Sequence, residues 1–169
     1  MSLSENLGFR HKWEFECYDG AGNLKWKETC YNLVVNTGLD DILDKYWKGS
    51  TYSASHFVGL TDGTPTVAAG DTMASHAGWA EVTAYDEAAR QALTLGSVAS
   101  QSVDNSASKA SYTCNTNATT VGGAFIATDS TKGGAAGTLI CAVAFAGGDK
   151  SLDSADTLNV TCTLTASSS

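Results

Sequence analysis

Phe9-Arg10-His11-Lys12-Trp13-Glu14-Phe15-Glu16-Cys17-Tyr18-Asp19-Gly20-Ala21-Gly22-Asn23-Leu24-Lys25-Trp26-Lys27-Glu28-Thr29-Cys30 holds two alternating runs around a turn. In the first run, Phe9, His11, Trp13, Phe15 and Cys17 share one face, while Arg10, Lys12, Glu14 and Glu16 share the other. In the second, Leu24, Trp26, Glu28 and Cys30 alternate with Lys25, Lys27 and Thr29. Period-two alternation puts one face in a core and the other in water. Placing Gly20-Ala21 at the centre of a two-residue type II′ turn makes a hairpin. Its expected pairs are Glu14 with Lys27, Glu16 with Lys25, Phe15 with Trp26 and Cys17 with Leu24, each contributing about 0.2–1 kcal/mol.

The same pattern continues along the chain. Strands are expected at His56–Leu60, Trp79–Tyr85, Arg90–Leu95, Lys109–Cys114, Val121–Thr128, Thr138–Phe145 and Thr157–Thr165, with Leu33–Val35 re-entering a sheet. In the last of these Leu158, Val160, Cys162 and Leu164 point inward. Turns are marked by Gly133-Gly134 and Gly147-Gly148-Asp149. One short amphipathic helix is expected over about residues 37–48, with Asn36 or Thr37 as N-cap and Asp40 and Asp41 in its first turn. Leu39, Ile42, Leu43, Tyr46 and Trp47 recur at helical spacing, and this stripe should cover one face or end of a sheet. The expected fold is all-β: a jelly-roll-like antiparallel β-sandwich with that helix and the N-terminal hairpin. Residues 1–8 are expected to be a flexible arm, 9–166 a single domain and 167–169 a tail.

Composition excludes several functions. The 169 residues carry a net charge of −8, with ten Lys and Arg against eighteen Asp and Glu. A nucleic-acid binder needs a basic stripe to neutralise phosphates, so no nucleic-acid partner is expected. No apolar run approaches the roughly 20 residues of a membrane-spanning helix, and no membrane partner is expected. The five cysteines (Cys17, Cys30, Cys114, Cys141 and Cys162) never occur at CxxC spacing and read as small apolar filler in a reduced protein. The start, Met1 to Asn6, lacks the basic and apolar runs of a secretion signal.

Catalysis finds little support. The histidines, His11, His56 and His76, are dispersed, and the nucleophile-elbow, zinc-protease and phosphate-loop motifs do not occur. Asp71, Ser75 and His76 lie close in sequence, but a triad is defined by roles in space, so His76 reads as a loop histidine bonded by its neighbours. Asp40, Asp41 and Asp44 are accounted for by a helix N-terminus and nearby lysines, and Asp149, Asp153 and Asp156 read as solvated turn residues. No enzyme, cofactor or metal site is expected. Tryptophan is enriched where proteins meet. If the hairpin projects from the sandwich, Arg10, Lys12, Trp13, Lys25 and Trp26 form the expected partner interface.

Several segments, taken in order, resemble a known family. They are Gly22–Trp26, Asn32–Leu39, Phe57–Pro65 with Asp71–Trp79 and Ala84–Arg90, and Gly147–Leu152. Together they resemble the capsid cement (decoration) proteins of podovirus-type tailed bacteriophages. The resemblance implies a sandwich that forms homo-oligomers, dimers or trimers, and binds the phage major capsid protein. It places the protein on the exterior of the icosahedral head, after synthesis in the host bacterial cytoplasm, stabilising contacts between capsomers. The rival expectation is a tail-fibre or receptor-binding module of the phage tail.

Overall fold

The computed structural model describes residues 7–52, 55–63 and 65–168. Its strands are β1 (Leu7–Tyr18), β2 (Leu24–Tyr31), β3 (Leu33–Val34), β4 (Phe57–Thr61), β5 (Glu81–Val82), β6 (Gln91–Ala92) and β7 (Ser102–Asp104). They continue with β8 (Ala110–Thr113), β9 (Thr119–Val121), β10 (Gly123–Ala127), β11 (Leu139–Ala144), β12 (Lys150–Leu152) and β13 (Thr157–Ser168). Between β3 and β4, helix α1 (Asn36–Ile42) runs on into a π-helical turn, Leu43–Trp47. The fold is all-β, as the alternation predicts: two main antiparallel sheets arranged as a sandwich, with β9 and β12 paired in a small two-stranded sheet of their own. One sheet runs β2-β1-β13, with β7 and β8 sharing the far edge of β13. The other runs β3-β11-β10-β4, with β5 and β6 sharing the far edge of β4.

The main core lies between the sheets. Trp13, Phe15 and Cys17 of β1 and Leu158, Val160 and Cys162 of β13 face Val58, Leu60, Ile126, Cys141 and Val143. A smaller apolar layer, including Val35, Met73, Trp79, Phe125 and Leu139, covers the other face of β10 and β11. Those two strands are therefore buried on both sides, which is why their sequences read as continuous apolar runs. The polar crossing between β4 and β5 supplies Met73 and Trp79 to this cover. All five cysteines are free and buried, as filler should be.

The hairpin forms, but two residues out of the expected register. Glu16 pairs with Lys27 rather than Lys25, Cys17 with Trp26 rather than Leu24, and Phe15 with Glu28. The cause is the turn. Asp19 N donates to Asn23 O at 2.8 Å, and the Asp19 carboxylate accepts from the backbone N–H groups of Ala21 and Asn23. The loop is therefore Gly20-Ala21-Gly22, and the left-handed residue is Gly22 at φ +84°, not Gly20. A bulge then opens between Cys17 and Tyr18, with Lys25 the extra residue on β2. The shift is even, so both faces keep their expected character.

The hairpin does not project. All twelve residues of β1 pair with β13, and from Lys12 to Tyr18 the strand is also flanked by β2. Leu7 and Gly8, expected in the arm, pair with Ser168 and Ser167, so strand pairing takes up parts of both expected termini. Residues 1–6 and 169 lie outside the described residues. Further strands differ locally. Val121–Thr128 is split into β9 and β10 at Gly122, whose N–H bonds Thr61 O, while the short β7 and β12 carry too few residues to show a period.

Candidate functional site: an apolar face around the helical segment

The helical segment is held by its first turn. Asn36 N donates to Ala69 O at 2.8 Å, and the Thr37 hydroxyl donates to Leu139 O at 2.7 Å. Gly38 is buried so close to β11 that a Cβ there would collide with the carbonyl of Ile140. The N-cap position falls on Val35, without a side-chain cap, and no acidic residue lies in the first turn. Neither Asn36 nor Thr37 caps the helix, because Thr37 is spent on the strand and the helix begins one residue earlier than expected. At the far end the Asp44 carboxylate accepts from Ser50 Oγ and Lys48 Nζ, and these bonds hold it below the usual carboxylate range.

With Gly38 against the sheet, the expected apolar stripe turns the other way. Leu39 is 40% exposed, Leu43 56%, Tyr46 79% and Trp47 73%. The stripe is not a cover for the core, as its periodicity suggested; it is a bare surface. Tyr52, Leu95 and Val98 extend it, exposed at 64%, 39% and 74%. Several of these side chains border an apolar cavity of about 560 Å³, whose lining includes Ile42, Tyr46, Tyr52, Leu93, Leu95, Val98, Ile126, Ile140 and Leu164. The Tyr46 and Trp47 rings meet edge to face at 5.4 Å.

His11 forms part of the cavity wall. Its backbone N–H donates to Asn32 Oδ1 at 3.0 Å, which turns the Asn32 amide N–H toward His11 Nδ1, also at 3.0 Å. Cys141 Sγ lies 3.4 Å from the same nitrogen. The ring is therefore a neutral acceptor at Nδ1, and burial lowers its pKa from 6.5 to about 4. Burial likewise pushes the Cys141 thiol up to about 12, so neither group is poised as a base or a nucleophile at neutral pH.

The residues expected at a partner interface are dispersed. Trp13 is fully buried, stacked with Phe15 at a ring separation of 6.1 Å, and has no surface to offer; that expectation is corrected. Trp26 is half-buried and meets Phe145 edge to face. Arg10 is exposed and lies over the Tyr31 ring at 3.8 Å. Lys12 bonds Glu14 at 2.8 Å. The bulge aims Lys25 at the loop before β13, where its ammonium meets Asp156 at 2.5 Å and Asp153 at 3.3 Å. Asp156 is not a solvated turn residue: it is 3% exposed and also accepts from Asp153 N.

The loop residues that invited a catalytic reading have separate local tasks. Asp71 Oδ2 accepts from Ala68 N, Ser75 N donates to Thr72 Oγ1, and His76 stacks on Trp79 while Nδ1 meets the Trp79 carbonyl at 3.0 Å. Among the described residues, no group of three or more His, Cys, Asp or Glu is arranged to hold a metal ion. No helix among them is long and apolar enough to cross a membrane. The apolar face was missed because a stripe at Leu39, Leu43 and Trp47 looks the same whether buried or bare. One sequence signal pointed to it. Tyr46 and Trp47 are adjacent and bulky, and two consecutive helical positions cannot both face a core that already approaches at Gly38.

Comparison with known proteins identifies no relative: no family model matches the chain, and no curated protein or solved structure matches it. Fold and site define it at the level of class, an all-β antiparallel sandwich with an unpartnered aromatic and aliphatic face.

Proposed function

We propose that this protein is a structural component of a virus particle, a capsid cement (decoration) protein that binds the phage major capsid protein on the outside of the head. The observation that carries the reading is the bare apolar face. Exposed apolar patches of this kind mark surfaces that another protein covers. The four-fold resemblance in segment order noted above supplies the particular assembly. The chemistry agrees with a binding role, since His11, Asp71, Ser75 and His76 are all engaged in local structure. Of the cationic groups expected at the interface, Arg10 is exposed over the Tyr31 ring, while Lys12 and Lys25 are bonded to carboxylates of this chain.

Function would follow from mass action. A protein that binds the assembled lattice but not its free subunits stabilises the lattice by its binding free energy, multiplied over many copies. A clamp touching several capsomers also gains from effective concentration. The test is cryo-electron microscopy of intact particles with copy number measured on purified heads. Density repeated over the shell supports the reading. Density confined to the tail supports a tail-fibre or receptor-binding module instead, and absence from the particle refutes both.

A further inference from the structure

We propose that the cavity beside His11, between the two main sheets, is a binding site for a neutral, largely hydrocarbon small molecule that carries a carbonyl oxygen. The site is separate from the outward stripe of the helical segment, since Leu39, Leu43 and Trp47 take no part in its lining. The inference does not depend on the cement reading.

The cavity is a layer of the core that is lined but left unfilled. Trp13 pairs with Cys162 across β1 and β13, and both side chains are fully buried in the main core. Two residues nearer the start of β1, the next inward row is His11, Leu164 and Val103, on β1, β13 and β7. The other sheet contributes Ile126 and Ile140, with Leu93 just past β6. Between these six side chains lies the space of about 560 Å³. Folded interiors hold few voids larger than a water molecule. At about 30 Å³ for each water-sized group, this one has room for roughly fifteen to twenty non-hydrogen atoms, as small-molecule sites do. Tyr46, Tyr52 and Val98, all exposed, border it, so a ligand enters without opening the fold.

One polar group in the lining fixes the ligand's chemistry. The Asn32 amide and the Cys141 thiol both meet His11 at Nδ1, so that nitrogen is the acceptor and the ring proton sits on Nε2. Among the described residues no hydrogen bond is made by Nε2, although the residue is only 5% exposed. A buried donor without an acceptor is costly, and a ligand oxygen that accepts from it removes that cost. This favours a carbonyl compound over a plain hydrocarbon. A carboxylate fits poorly, because nothing in the lining offers it an uncommitted cation. The imidazole is neutral, and Asp41 and Lys45 oppose each other in sign, with Lys45 already 3.5 Å from Asp44. A carboxylate buried there would be an unpaired charge.

Fluorescence titration of the purified full chain tests this with Prodan, a neutral naphthyl ketone of suitable size whose emission moves to the blue in apolar surroundings. Saturable binding with a Kd of about 10–200 µM is expected. Leu164→Trp, which fills the cavity, should weaken binding at least about tenfold. Val103→Phe serves the same purpose should that variant not fold, with circular dichroism as the check. Leu43→Asp, on the outward stripe, should leave binding unchanged. The analogue with a carboxylate in place of the propionyl group should bind at least about tenfold more weakly. The analogue with a propyl group there lacks only the carbonyl oxygen. The affinity ratio of ketone to propyl compound should fall about 3- to 10-fold from wild type to His11→Phe, which removes the donor. Absence of saturable binding, or binding that survives filling of the cavity, overturns the inference. Binding lost in Leu43→Asp puts the dye on the outward stripe and overturns it too. An unchanged ratio in His11→Phe, or equal affinity for the carboxylate, overturns the ligand class assigned to the site.

Discussion

His11 should make this protein acid-sensitive above the carboxylate range, and the effect can be isolated. Its ring is 5% exposed, with Nδ1 facing the Asn32 amide and Cys141 Sγ. Protonation would put two donors face to face, and Asn32 cannot simply flip, because its Oδ1 holds the His11 backbone N–H. The folded pKa is about 4, against 6.5 for a free histidine. Between these values the unfolded chain binds more protons than the folded one. Stability therefore falls as pH drops below 6.5, and this contribution levels off below about 4. The size of the shift corresponds to about 3 kcal/mol. Urea midpoints of wild type and His11→Gln, measured at steps from pH 7.5 to 4, provide the assay. Both proteins share every carboxylate and the other two histidines, so the difference between their profiles reports His11. Wild type should lose about 3 kcal/mol more than the variant across the window. Parallel profiles would refute the argument, as would an NMR titration placing the His11 ring near 6.5.

Two further outcomes test what holds the frame around the apolar face. The Arg90 guanidinium, fully buried, bonds both carboxylate oxygens of Glu81 and the carbonyls of Asp129 and Gly134. Arg90→Met should cost about 3–5 kcal/mol by leaving Glu81 buried without its cation, and Arg90→Met with Glu81→Leu should recover most of it; chemical denaturation of the three proteins decides. Gly38→Ala should cost about 1–3 kcal/mol, since the new methyl group meets backbone rather than a movable side chain. An unchanged melting temperature for that variant would show that the helix is not packed as closely as the structure has it.

The alternating segments were legible because their period is two and one face is buried. His11, Trp13, Phe15 and Cys17, and equally Leu158, Val160 and Cys162, sit where alternation puts them. The hairpin register was not legible, because Asp19-Gly20-Ala21-Gly22-Asn23 offers two glycines for the left-handed position. Only the Asp19 carboxylate, which binds the N–H groups of Ala21 and Asn23, selects Gly22. The expected interface failed at Trp13 for a related reason. Alternation assigned that side chain to a face, but only the pairing of β1 with β13 made the face the centre of the core.

By itself, then, the sequence determined an all-β chain: local periodicity and turn residues suffice for strands, and their faces follow from the pleat. Tertiary structure decided which apolar residues are core and which are surface. Leu39, Leu43, Tyr46 and Trp47 have the spacing of a buried stripe, yet Gly38 is the residue that β11 accepts, and its missing side chain turns the stripe outward. Burial depends on what lies opposite a face, and that is set by residues about a hundred positions away at Leu139 and Ile140.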